Sequence, residues 1–122
     1  MAGRVKKNKN VEISPEDILD IVKKSLDDGK ADDIAVIDLA GKSSIASYMV
    51  VASGTSNRHV ASLAENLQLK LKENGCQSMS EGEEKADWVL VDSYDVIVHI
   101  FKPEVRAFYS LEKMWSMVKK PE

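Results

Sequence analysis

Apolar and polar positions alternate along this chain in two distinct periods. Ile18, Ile21, Val22 and Leu26 recur at helical spacing, with Lys23 and Lys24 between them on the opposite side. Ser14-Pro15-Glu16-Asp17 precedes them. A hydroxyl cap, a proline suited to the first turn and acids at the positive helix end mark a helix start. Gly29 marks its stop. Residues 34–39 and 48–52 are short, apolar and rich in β-branched side chains, so they predict strands, the first of them buried. The turn between them, Gly41-Lys42-Ser43-Ser44, predicts an antiparallel pair. Val60, Leu63, Ala64, Leu67 and Leu71 form a second helical stripe, closed by Asn74-Gly75.

Beyond that point the period returns to two. Residues 76–80 predict a short edge strand, 81–87 an acidic loop, and 88–92 with 96–101 a hairpin. Pro103-Glu104 opens a last helix. On it Leu111, Met114, Trp115 and Val118 share a face, and Lys119 and Lys120 suit the C-terminus. The order helix, strand, strand, helix, edge strand, strand, strand, helix predicts an α/β fold with a single mixed β-sheet flanked by helices. One domain over residues 14–118 accounts for the pattern. Residues 1–13 are expected to form a flexible basic tail and 119–122 a C-terminal tail.

Composition narrows the function. The chain has 122 residues, enough for one real core, and carries a formal net charge of −3. That balance disfavours general nucleic-acid binding, which needs a basic field. Arg4, Lys6, Lys7 and Lys9 are the local exception, either a solvated tail or an arm for a phosphate-rich partner. Cys76 is the single cysteine, which excludes an internal disulfide and fits a reducing compartment. With no signal segment and no apolar run near 20 residues, a soluble cytoplasmic protein without membrane contact is expected.

The candidate chemistry is sparse. Ser53-Gly54-Thr55-Ser56 passes from strand to helix, where backbone N–H groups can meet a phosphate, but ordinary capping explains it equally and is the reading adopted. His59 and His99 have no second ligand at metal spacing, so no metal and no cofactor is expected. His99 reads either as a satisfied structural histidine or as the polar member of a binding face. Asp92 and Asp95 flank Ser93-Tyr94 and suit turn roles better than acid–base work. By strand alternation Trp88, Leu90 and Asp92 share one face, and an aspartate beside a tryptophan predicts partial exposure. The run 88–115 holds both tryptophans and both phenylalanines, a composition for grip rather than catalysis. Arg106 and Tyr109 are polar enough to reach the surface.

Several segments in fixed order then become recognisable: residues 38–45 (DLAGKSSI), 53–60 (SGTSNRHV), Glu81-Gly82, 86–92 (ADWVLVD), 95–101 (DVIVHIF) and 106–115. With these the chain resembles the ribosomal silencing factor family, also called Iojap-like proteins, over residues 14–116. The resemblance implies a fold similar to the nucleotidyltransferase core without its catalytic carboxylates. It also implies a non-enzymatic translation inhibitor that binds the large ribosomal subunit through universal ribosomal protein fourteen. On the same resemblance, occupying that protein is expected to block joining of the small subunit when nutrients are short, and the negative net charge leaves rRNA contact peripheral at most. Trp88, Asp92, Ser93 and Tyr94 match the family's partner-binding region, and His99, Arg106 and Tyr109 are grouped with them as partner-binding candidates. Tyr94 stands where the family usually has glycine. Two rival readings remain at this stage: a nucleotidyl or phosphoryl transferase holding a metal on Asp38 and Asp92, and a scaffold that forms a homodimer through its hairpin region.

Overall fold

The computed structural model describes residues 13–39 and 46–105. Helix α1 spans Pro15–Asp28, strand β1 Asp32–Asp38, β2 Tyr48–Ser53, helix α2 Asn57–Glu73, β3 Met79–Glu81, β4 Trp88–Asp92 and β5 Val96–Phe101. The strands form one five-stranded sheet in the order β1-β2-β5-β4-β3. The β2–β5 pair is parallel and the others antiparallel. The mixed α/β sheet and the β1–β2 and β4–β5 pairings are as the sequence predicts. The last predicted helix, with Arg106 and Tyr109, lies outside the described residues apart from a helical start at 103–105.

Both helices end where the sequence places their caps, for partly different reasons. Ser14 accepts the Asp17 N–H at 3.1 Å, and Ser56 accepts the His59 N–H at 3.1 Å. Gly29 closes α1 with φ −84°, so it is not a left-handed cap; Lys30 takes that role with φ 67°. The glycine matters sterically instead, because a Cβ there would meet Leu63 Cδ2 at 2.6 Å where the helices approach. Gly75, at φ 81°, does supply the left-handed residue after α2.

Helices α1 and α2 cover one face of the sheet. Val22, Leu26, Leu63, Leu67 and Leu71 pack there against Val50, Val89, Val91, Val98 and Ile100. Fully burying side chains of this size stabilises the fold by roughly 1.5–3 kcal/mol each. The second face carries a smaller cluster of Leu39, Ala46, Met49, Val51 and Phe101, with Ile37, Trp88, Ile97 and Val105 packed beside it. Strand β1 departs from the prediction. It is a half-exposed edge strand, with Val36 41% exposed, rather than a buried one. Apolar composition signals that a strand covers something, and an edge position then leaves its outer flank open. No described helix is long and apolar enough to cross a membrane.

Candidate functional site: an aromatic and acidic sheet face

Register fixes which side chains share the second face. Trp88 lies opposite Phe101, Leu90 opposite His99 and Asp92 opposite Ile97. Strand β3 adds Met79 opposite Asp92 and Glu81 opposite Leu90. The period of two predicts Trp88, Leu90 and Asp92 together; the register adds His99 and Met79 to them.

Three rings organise the centre. Trp88 stacks on Phe101 with centroids 5.0 Å apart and planes 27° apart. His99 lies 5.9 Å from each of the other two rings. Phe101 is fully buried and acts as the floor, whereas Trp88 is half-buried, as predicted. The Trp88 indole Nε1–H donates to His99 Nδ1 at 3.0 Å. Nδ1 must therefore carry a lone pair, and in the neutral ring the proton sits on Nε2. Burial holds His99 well below its ordinary value of 6.5, at about 4, so it is neutral near pH 7. His99 is thus a hydrogen-bonded structural histidine that stands on the face carrying Trp88.

The hairpin tip is shaped by Asp92, Ser93, Tyr94 and Asp95. Asp92 Oδ1 accepts the Tyr94 N–H at 2.9 Å, an Asx turn. The Asp95 N–H donates to Ser93 O at 2.8 Å across Tyr94, whose φ is 72°. A two-residue bond around a positive φ is a γ-turn of the rare, strained hand. The turn therefore keeps the backbone that suits glycine, and tyrosine occupies it with its side chain 63% exposed. Ser93 differs from the other sequence candidates. It is fully buried, and its hydroxyl donates to Val96 O at 2.6 Å, so it braces the turn from inside.

The acidic loop borders Trp88. Gly82, Glu83, Glu84, Lys85 and Asp87 line a depression of about 610 Å³ with Trp88 on its wall. Asn57, the first residue of α2, pins this loop: its Nδ2 donates to Lys85 O and to Asp87 Oδ1, both at 2.7 Å. Lys102 Nζ donates to Asn57 Oδ1 at 3.2 Å and pairs with Asp87 at 3.6 Å. Gly82 has φ 94°, and a Cβ there would come within 2.3 Å of Trp88 O, so the loop lies directly on the strand that carries the indole. Nothing in the sequence marks Asn57 and Lys102, because single polar residues far apart in the chain carry no period. Nothing marks Met79, 67% exposed on this face, because a three-residue strand has too few positions to show one.

The same geometry decides between the alternatives for the other motifs. In the Ser53–Ser56 loop the Gly54 N–H donates to Phe101 O at 2.9 Å, and the Thr55 N–H donates to His59 Nδ1 at 2.8 Å. His59 Nε2–H reaches Gly29 O at 2.8 Å, so this histidine ties the loop to the end of α1. The loop is a capped junction in which the Gly54 and Thr55 amides are already committed. Asp38 shares the side of Tyr48 and Val96, whereas Asp92 shares the side of Ile97. The two carboxylates required by the transferase reading thus lie on opposite faces of the sheet. Among the described residues no group of three or more His, Cys, Asp or Glu side chains is placed to hold a metal ion.

Comparison with known proteins identifies the family of the chain. The family model described as "Ribosomal silencing factor during starvation" matches residues 12–122. Ribosomal silencing factor RsfS of Zymomonas mobilis is 55% identical over 102 residues, 83% of this chain and 77% of that one. The mouse protein named "Mitochondrial assembly of ribosomal large subunit protein 1" is 33% identical, over 81% of this chain and 45% of its own. A crystal structure of a Chromobacterium violaceum protein superimposes with a TM-score of 0.83 at 40% identity, covering 90% of this chain and 92% of that one. Since the family model takes in residues 12–122 and a relative 55% identical covers 83% of the chain, the chain belongs to the family of ribosomal silencing factors.

Proposed function

We propose that this protein is a non-enzymatic inhibitor of translation that acts in the cytoplasm. It binds the large ribosomal subunit through universal ribosomal protein fourteen and so keeps the small subunit from joining, lowering protein synthesis under nutrient limitation. The observation that carries the proposal is the half-exposed Trp88, backed by buried Phe101 and bordered by the acidic loop. An aromatic anchor in a rigid setting supplies contact area at small entropic cost, and the surrounding acids favour a basic protein partner. Asp92 and Tyr94 extend the contact, Arg106 and Tyr109 complete it, and His99 serves it through its bond to Trp88. Ser93 supports the turn and does not itself touch the partner. The name of the mouse relative, which refers to the large subunit, agrees with this choice of target.

The test is co-sedimentation with separated ribosomal subunits, followed by a subunit-joining assay. The wild-type protein is expected with the large subunit only, and joining falls as it is added. Trp88→Ala, checked for folding by circular dichroism, is expected to bind at least tenfold more weakly, as loss of a central aromatic anchor costs about 2 kcal/mol or more. A folded Trp88→Ala protein that binds as the wild type does removes this face from the reading. Light scattering on the free protein separates a homodimer through the hairpin region from the monomer.

A further inference from the structure

We infer that His99 is a positioning residue: it holds the Trp88 indole in the one orientation that the large subunit receives. The inference rests on the function proposed above and assigns a division of labour within its site. Stacking on Phe101, with centroids 5.0 Å and planes 27° apart, fixes the plane of the indole. Stacking alone does not fix which edge points where, because an indole turned over about its Cβ–Cγ bond covers nearly the same area of the ring below. The bond from Nε1–H to His99 Nδ1 at 3.0 Å makes that choice. Turning the indole over carries the N–H away from the acceptor, and a half-buried donor without a partner is costly.

The choice of histidine suits the task. Strand β5 places residue 99 diagonally across from Trp88, since its direct partners are Leu90 on β4 and Val51 on β2. At that diagonal a flat ring can both lie 5.9 Å from the Phe101 ring and turn a lone pair toward the indole. A leucine there would keep the packing and lose the acceptor. An asparagine would place its Oδ1 close to the position of Nδ1 and keep it. The indole is thereby set before the partner arrives, so binding does not have to select one of its rotamers.

The experiment compares wild type, His99→Asn and His99→Leu, each labelled with 15N at tryptophan. The indole resonances are assigned with Trp88→Phe, which leaves Trp115. In the free protein His99→Leu is expected to move the Trp88 indole N–H upfield and quicken its exchange with water. His99→Asn is expected to restore both. Large-subunit binding should fall by about three- to tenfold in His99→Leu and recover to within about twofold in His99→Asn. An indole signal that is the same in His99→Leu as in wild type overturns the inference. So does an asparagine variant with a restored indole signal and leucine-like binding, because His99 would then itself touch the partner. If His99→Leu does not fold, His99→Phe keeps a ring over Phe101 and removes only the acceptor. Failure of the wild type to bind large subunits would defeat the proposed function, and the indole comparison in the free protein would still decide whether His99 sets Trp88.

Discussion

Tyr94→Gly is expected to make this protein more stable and a weaker binder at once. Tyr94 holds φ 72° inside a turn closed by the 2.8 Å bond from the Asp95 N–H to Ser93 O. For a residue with a Cβ the left-handed region costs roughly 1–2 kcal/mol. Glycine removes that strain but loses more freedom on folding, about 0.5–1 kcal/mol. The side chain is 63% exposed, so removing it forfeits little burial, and the bond from its N–H to Asp92 Oδ1 survives the change. The net expectation is a gain of about 0.5–1 kcal/mol, which raises the urea midpoint by ~0.3–0.7 M. Large-subunit binding should weaken about 5- to 30-fold if the exposed ring is a contact. Tyr94→Ala is the control. It keeps the Cβ and the strain but removes the ring, so its stability stays within about 0.5 kcal/mol of wild type while its binding falls like that of the glycine variant. Urea unfolding followed by circular dichroism, with sedimentation on subunits, gives both quantities. A glycine variant less stable than wild type, or an alanine variant stabilised equally, refutes the argument from backbone strain.

Two further outcomes follow from the same geometry. His99 has its folded value depressed to about 4 from 6.5, so the unfolded chain binds this proton more tightly. Its contribution is fully present above about pH 6.5 and is lost as pH falls toward 4, at ~1.4 kcal/mol per unit, or about 2 kcal/mol between pH 6.5 and 5. Urea titrations at those two values should show that loss in wild type and its absence in His99→Asn; equal losses would contradict it. Gly82→Ala forces a Cβ to within 2.3 Å of Trp88 O at φ 94°, and should cost about 2–4 kcal/mol; a melting temperature unchanged from wild type would show that the loop moves aside freely.

Much of this was legible in the chain because local signals and tertiary needs coincided. Ser14, Pro15 and Ser56 announced helix starts that the hydrogen bonds reproduce. The alternation at 88–92 put Trp88 and Asp92 on one face before any neighbour was known. What escaped was set by partners distant in sequence. The exposure of β1 depends on its place at the sheet edge, and the pinning of the acidic loop depends on Asn57 and Lys102 meeting it from other elements. The role of His99 was open for the same reason. Its spacing along β5 could not reveal the indole across the register. At Tyr94 the structure shows a positive φ, a conformation that glycine adopts most readily, and no period in the sequence announces it.

The place of β5 in the sheet has a consequence for how the protein comes into being. It is the last described strand to be synthesised, yet it lies in the middle, parallel to β2 and antiparallel to β4. Until it emerges from the ribosome, β1–β2 and β3–β4 share no strand pairing and meet only through the helices. Such non-local closure is slow and comes late in folding. His99 and Phe101 both belong to this strand, so the seat of the Trp88 indole exists only once the sheet is whole. On the proposed function, a nascent chain that lacks β5 has no seat for the Trp88 indole, and binding through this face waits for the completed sheet.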